Sequence, residues 1–154
     1  MRVIFLDIDG VLNSEESVDR AIEAAHKRGD ERPTMDELNC DAPLTERFVS
    51  FIEQHNIKIV LSSSWRWHTL ESTIERFKDT PFKCLIPYMV GVTPWLDSRI
   101  RGEEIQWYLD NHLEITKYVI VDDDTDMLEH QHFIHVNDFT GLTDKNFEEI
   151  LRFL

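Results

Sequence analysis

Short apolar runs alternate with amphipathic stretches along most of this chain. Five runs read as strands: Arg2–Leu6, Lys58–Leu61, Cys84–Ile86, Tyr118–Val121 and Phe133–Val136. Three are continuous and rich in β-branched residues, the pattern of strands covered on both faces. Between them, apolar residues recur every three to four positions, which puts them on one face of a helix. Val18, Ala21, Ile22 and Ala25 form one such face, and Gly29 stands where that helix can end. Leu44, Phe48, Phe51 and Ile52 form a second; Leu70, Ile74 and Phe77 form a third. Ile105, Tyr108 and Leu109 form a fourth, opening after Gly102, and Phe147, Ile150, Leu151 and Leu154 form the last. Strands alternating with helices predict an α/β fold with a parallel sheet covered on both faces.

Two gaps interrupt the alternation. The polar stretch Gly29–Pro43 holds two prolines, so the region from about 14 to 43 is expected to be an inserted flap or small cap. The second gap, Asp79–Ile100, has room for a short strand and loops but not for a cap domain. With 154 residues and no internal repeat, a single domain is expected.

In open parallel sheets, ligands bind beyond the carboxyl ends of the strands. Asp7-Ile8-Asp9-Gly10 follows the first predicted strand, and Ser62-Ser63-Ser64-Trp65-Arg66 follows the second. Asp122-Asp123-Asp124 and then Asp126 follow the fourth, while Arg99-Ile100-Arg101-Gly102 precedes a helix. Acids crowded at low dielectric repel one another, and a hard divalent cation such as Mg²⁺ relieves that repulsion. A metal, hydroxyls and a cation together suit a phosphoryl group. One aspartate can then act as the nucleophile, and another two residues on, facing the same side, can move the proton. A lone Asp-x-Asp is usually a solvated turn; acids, serines and arginine at successive strand ends are harder to explain that way.

Composition narrows the setting. Apolar residues make up 42% and charged residues 30%, a globular balance. No apolar stretch approaches the ~20 residues that span a bilayer, and no signal peptide is evident, so a cytoplasmic protein with no membrane role is expected. Cys40 and Cys84 lack metal-ligand spacing and read as reduced thiols. The net charge of −14 repels nucleic acid at long range but leaves room for a local cationic pocket.

The stretches "FLDIDGVLN", "IKIVLSSSWR", "SRIRGEEI" and "YVIVDDDTDM" resemble, in order, the four motifs of the haloacid dehalogenase-like (HAD) phosphohydrolase superfamily. They run from Phe5 to Met127 and look closest to the small HAD domains of RNA-repair proteins and of polynucleotide kinase-phosphatases. The resemblance implies a Rossmann-like parallel sheet of order 5-4-1-2-3 with a minimal cap. It also implies an Mg²⁺-dependent phosphomonoester phosphatase working through an aspartyl-phosphate. Asp7 would be the nucleophile and Asp9 the general acid and base, its carbonyl also facing the metal. Asp122 and Asp123 would hold Mg²⁺ with Asp7, and Asp126 would join them through water, whereas Asp124 is expected to face outward. Ser63, with Ser62 as alternative, would bind the phosphate, and Arg101, with Arg99 as alternative, would neutralise it. The second Asp of the first motif favours phosphate over carbon–halogen chemistry.

Arg66 is a further candidate for a substrate contact, and Trp65, Trp67 and Trp95 for base stacking, against core packing as the plainer reading. His130, His132 and His135 span a helix end and a strand, so their rings are expected to diverge rather than form a metal site. The favoured substrate is a nucleic-acid end. Free nucleotides or sugar phosphates are the enzymatic alternative, and a non-enzymatic acidic interaction domain is the second. The sequence leaves the oligomeric state open.

Overall fold

Strands β1 (Arg2–Leu6), β2 (Lys58–Leu61), β3 (Met89–Val92), β4 (Lys117–Asp122) and β5 (Phe133–His135) form one sheet in the order β3-β2-β1-β4-β5. Every neighbouring pair is parallel. The computed structural model describes all 154 residues. It has the α/β, Rossmann-like topology and the strand order expected from the sequence.

Side chains alternate along each strand, so the sheet sorts its residues onto two faces. Ile4, Leu6, Ile59, Leu61, Val119 and Val121 enter the larger core, with Phe48 and Ile52 of α3 (Ala42–Gln54), Phe77 of α4 (Leu70–Phe77) and Phe147 and Ile150 of α6 (Asp144–Phe153). Val3, Phe5, Val60 and Ile120 point the other way, onto Ile105 and Tyr108 of α5 (Arg101–Asp110). The polar stretch after β1 carries α1 (Glu15–Lys27) and the short α2 (Met35–Asn39). Both helices have a capping box, from Ser14 with Ser17 and from Thr34 with Glu37. Arg28, just past α1, pairs with Glu37 of α2 at 2.9 Å and ties the two together.

The third strand differs from its sequence-based position. Cys84–Ile86 lies inside a 3₁₀ turn, Lys83–Tyr88, which includes Pro87 and drops Leu85 into the core. The strand is Met89–Val92, an edge strand in which Val90 is exposed. Gly91 is required there: a Cβ at that position would sit 1.9 Å from the Tyr108 hydroxyl.

Candidate active site

The sheet register places the chemistry in one row. Beyond the last paired residues, Asp7 N–H donates to Val121 O, Ser62 N–H to Leu6 O and Thr93 N–H to Leu61 O. Asp122, Asp7, Ser62 and Thr93 therefore lie abreast on β4, β1, β2 and β3. They continue the alternation that carries Ile120, Phe5 and Val60 to the α5 face, so their side chains turn toward the start of α5. Arg101 opens that helix. Its Nη1 lies 2.7 Å from Asp122 Oδ2 and 3.1 Å from Asp7 Oδ1. Arg101 is thus the arginine that meets the acids. Arg99 stays exposed, and its side chain has no ion pair or hydrogen bond.

Asp7, Asp122 and Asp123 each offer a carboxylate oxygen within 4.8 Å of the others. Burial, reinforced by the neighbouring Asp7 charge, pushes the Asp122 carboxyl up to about 6. Burial, a hydrogen bond with Asp7 and the surrounding acids push Asp123 up to about 7. Burial works against the Arg101 guanidinium, but Asp122 and Asp7 outweigh it and hold Arg101 above its ordinary value. Three acids facing one cation make an anionic hole built only of hard oxygen donors, and this set fits Mg²⁺. Gly10 makes the cluster possible. It adopts φ +76°, and a Cβ there would meet Asp123 Oδ2 at 2.4 Å.

Asp9 stands apart from the three clustered acids. Its Oδ1 accepts from Asn13 Nδ2 at 2.9 Å and its Oδ2 from Trp65 Nε1 at 3.0 Å. Asn13 Nδ2 also donates to Asn39 O at 2.7 Å, linking Asp9 to the end of α2. Trp65 packs edge-on against Phe77 and Phe82, so the indole that holds Asp9 is itself anchored in the core. Trp65 did not stand out in the sequence as a partner of Asp9, because nothing local marks a contact 56 residues long; Asn13, only four residues on, was missed as well. Thr93 was hidden by the misplaced third strand.

The two serines differ. Ser63 Oγ accepts from Trp65 N–H at 3.2 Å, an ordinary turn contact. Ser62 Oγ and Thr93 Oγ1 are buried and have no partner in the protein. An orphaned buried hydroxyl is costly and uncommon.

Two expected site residues have other jobs. Arg66 is 1% exposed, and all five of its N–H groups are spent. Nε donates to Thr93 O, Nη1 to Ser62 O and Ser63 O, and Nη2 to Pro94 O and Glu104 Oε2. It has no donor left for a substrate, so it braces the ends of β2 and β3 instead. Burial lowers the Arg66 guanidinium, opposed by the Glu104 charge. Asp126 is exposed, lies outside the three-carboxylate cluster, and accepts from Arg101 N–H at 2.9 Å. It caps α5, whose own N-cap residue Ile100 has no side-chain oxygen to offer. Asp124 is exposed, as expected, and its N–H orients Asp122 at 2.9 Å. His130, His132 and His135 turn to three separate partners, Gln106, Tyr118 O and Asp123 O.

Residues 3–147 of the 154 match the family described as the HAD domain in Swiss Army Knife RNA repair proteins. The chain belongs to this family. No curated protein and no solved structure gives a significant match. The match covers all four motif positions, and the family is described as a domain of RNA repair proteins. No helix of the domain is long and apolar enough to cross a membrane.

Proposed function

We propose that this HAD domain is an Mg²⁺-dependent phosphomonoester phosphatase acting on nucleic-acid ends through an aspartyl-phosphate. The observation that carries the reading is the row of Asp122, Asp7 and Ser62 with Arg101 set across it. Asp7 attacks phosphorus; the Oδ–P bond forms as the bond to the leaving oxygen breaks. Asp9 gives that oxygen a proton, exchanging one of its two contacts, to Asn13 or Trp65, for the leaving group. It then takes a proton from the water that attacks the phosphorus, which releases phosphate and restores Asp7. Arg101 balances charge on Asp7 and the phosphoryl oxygens throughout.

Asp7, Asp122 and Asp123, with the Asp9 carbonyl, would hold Mg²⁺. Bound there, the ion supplies the positive charge that the clustered acids and the phosphoryl oxygens both require. Ser62 is the better phosphate ligand of the two serines, since its orphaned hydroxyl gains a partner when phosphate arrives. The α1–α2 insertion, about 14–43, serves as the minimal cap and touches the site through Asn13. A cytoplasmic setting accords with the two unpaired thiols.

The test is phosphate release with Mg²⁺ from p-nitrophenyl phosphate, 3′- and 5′-phosphorylated oligoribonucleotides, nucleoside monophosphates and sugar phosphates. Oligonucleotide ends should lead in kcat/KM. Asp7→Asn should cut kcat by at least ~10³-fold with the thermal transition retained. Inactivity across the panel overturns the enzyme reading; preference for free nucleotides or sugar phosphates moves it to a small-molecule phosphatase.

A further inference from the structure

Past the end of β3, where Thr93 lies abreast of Ser62, an aromatic ring is seated on a fixed cation. Trp95 is about half exposed, at 48%. The Arg66 guanidinium lies under it, 3.7 Å from the ring centroid. Arg66 is fixed by five hydrogen bonds, two of them to the carbonyls of Ser62 and Ser63. Glu104 holds the same loop from α5, accepting from Leu96 N–H at 3.1 Å as well as from Arg66. One face of the indole is therefore pinned while much of the ring remains open to solvent. Its seat is the guanidinium that braces the phosphate-site strand ends.

The next feature along the loop is a free cation. Arg99 is exposed and unpaired, and it holds φ +55°, one of only two non-glycine residues in the left-handed region. With Trp95, Leu96 and Asp97 it lines a cleft of about 470 Å³. The opposite approach, next to Asp9, is a cleft of about 480 Å³ whose wall includes Glu15, Asp19, Asp123 and Asp138. A polyanion is repelled there and has a cation and an open π-face on the Trp95 side.

We propose that Trp95 and Arg99 form a nucleotide subsite, in which Trp95 stacks on the base of the phosphate-bearing terminal nucleotide and Arg99 receives the adjoining phosphodiester. The subsite rests on the reading of this protein as a phosphatase of nucleic-acid ends, and it fixes the side from which the strand enters. Stacking tolerates any base, so the subsite selects a nucleotide over a sugar phosphate without selecting sequence.

The test separates this subsite from the catalytic reading. Binding of a fluorescein-labelled, terminally phosphorylated oligoribonucleotide to Asp7→Asn protein with Mg²⁺ is followed by anisotropy, so turnover is not needed. Adding Trp95→Leu should weaken binding roughly tenfold and adding Trp95→Phe should restore most of it. Adding Arg99→Gln should weaken binding and make its salt slope more positive by roughly 0.7 in log K per tenfold salt, because one counterion-releasing contact is lost. An oligonucleotide lacking the terminal base should bind the Asp7→Asn parent about tenfold more weakly and bind the Trp95→Leu form no worse than the intact one does. Equal binding of intact and base-less oligonucleotides to the parent, or equal binding by the Leu and Phe forms, overturns the subsite. So does the absence of any oligonucleotide binding. If the wild-type protein releases phosphate from oligonucleotides while any of these results holds, the subsite fails alone. If it releases phosphate from nothing, the catalytic reading fails first.

Discussion

At the scale of single residues, the site is an electrostatic conflict held in place by the fold. Asp122 is fully buried, Asp7 nearly so, and Asp123 lies against Gly10. Arg101 pairs with two of these acids and leaves excess negative charge. The folded-state pKa values of Asp122, about 6, and Asp123, about 7, stand above the ~3.9 of an unfolded aspartate. Between roughly pH 4 and pH 7 the folded state therefore binds more protons than the unfolded state. Stability falls as pH rises through that window and levels off above it. Mg²⁺ bound at the proposed site would compete with those protons, so it should stabilise the protein more at pH 7.5 than at pH 5. Thermal melts at both pH values, with EDTA and with Mg²⁺, check this. Asp123→Asn should flatten the metal-free pH slope and raise Tm at pH 7.5 by roughly 2–4 °C, about 1 kcal/mol for a chain of this size. An unchanged slope would show that the cluster is already neutralised by Arg101.

At the scale of elements, what the sequence disclosed and what it concealed have physical causes. Arg2–Leu6 and Lys58–Leu61 were legible because buried central strands are unbroken apolar runs. Met89–Val92 was not: an edge strand with one exposed residue and a glycine carries little apolar signal, while the neighbouring Cys84-Leu85-Ile86 carries more. The acids and Arg101 could be read because strand ends and a helix start deliver them. Thr93 could not, because it follows the strand whose position the apolar pattern missed, and the true role of Arg66 could not, because it reaches Thr93, Pro94 and Glu104 from a different part of the chain. Arg66 gives the sharpest test of that difference. A substrate-contacting arginine would tolerate Lys without loss of stability. Here Lys, with three donors on a flexible stem, cannot replace five fixed donors. Arg66→Lys leaves Glu104, 3% exposed, and several carbonyls poorly served. Urea unfolding should show a loss of about 3–5 kcal/mol, close to that of Arg66→Met. A loss below ~1 kcal/mol would reject the bracing role.

At the scale of the whole molecule, a net charge of −14 must be reconciled with the polyanionic substrate proposed above. Treated as point charges in water at ~20 Å, this protein and an oligonucleotide carrying about five negative charges repel by roughly 14 kcal/mol unscreened. A Debye length of about 30 Å at 0.01 M salt cuts this by only about half, whereas about 8 Å at 0.15 M cuts it more than tenfold. The two proposed arginine–phosphate contacts, at Arg101 and Arg99, would work in the other direction. Their counterion release weakens binding by about 2 kcal/mol per tenfold rise in salt. The relief of long-range repulsion is the larger effect over this range. For a short phosphorylated oligoribonucleotide, kcat/KM at fixed Mg²⁺ should therefore rise between 10 and 150 mM KCl, the reverse of the usual trend for nucleic-acid enzymes. The gain for p-nitrophenyl phosphate, with fewer charges, should be much smaller. A falling kcat/KM for the oligonucleotide would mean that the strand follows a more continuous cationic path than Arg99 and Arg101 provide, and that local attraction outweighs the charge of the whole.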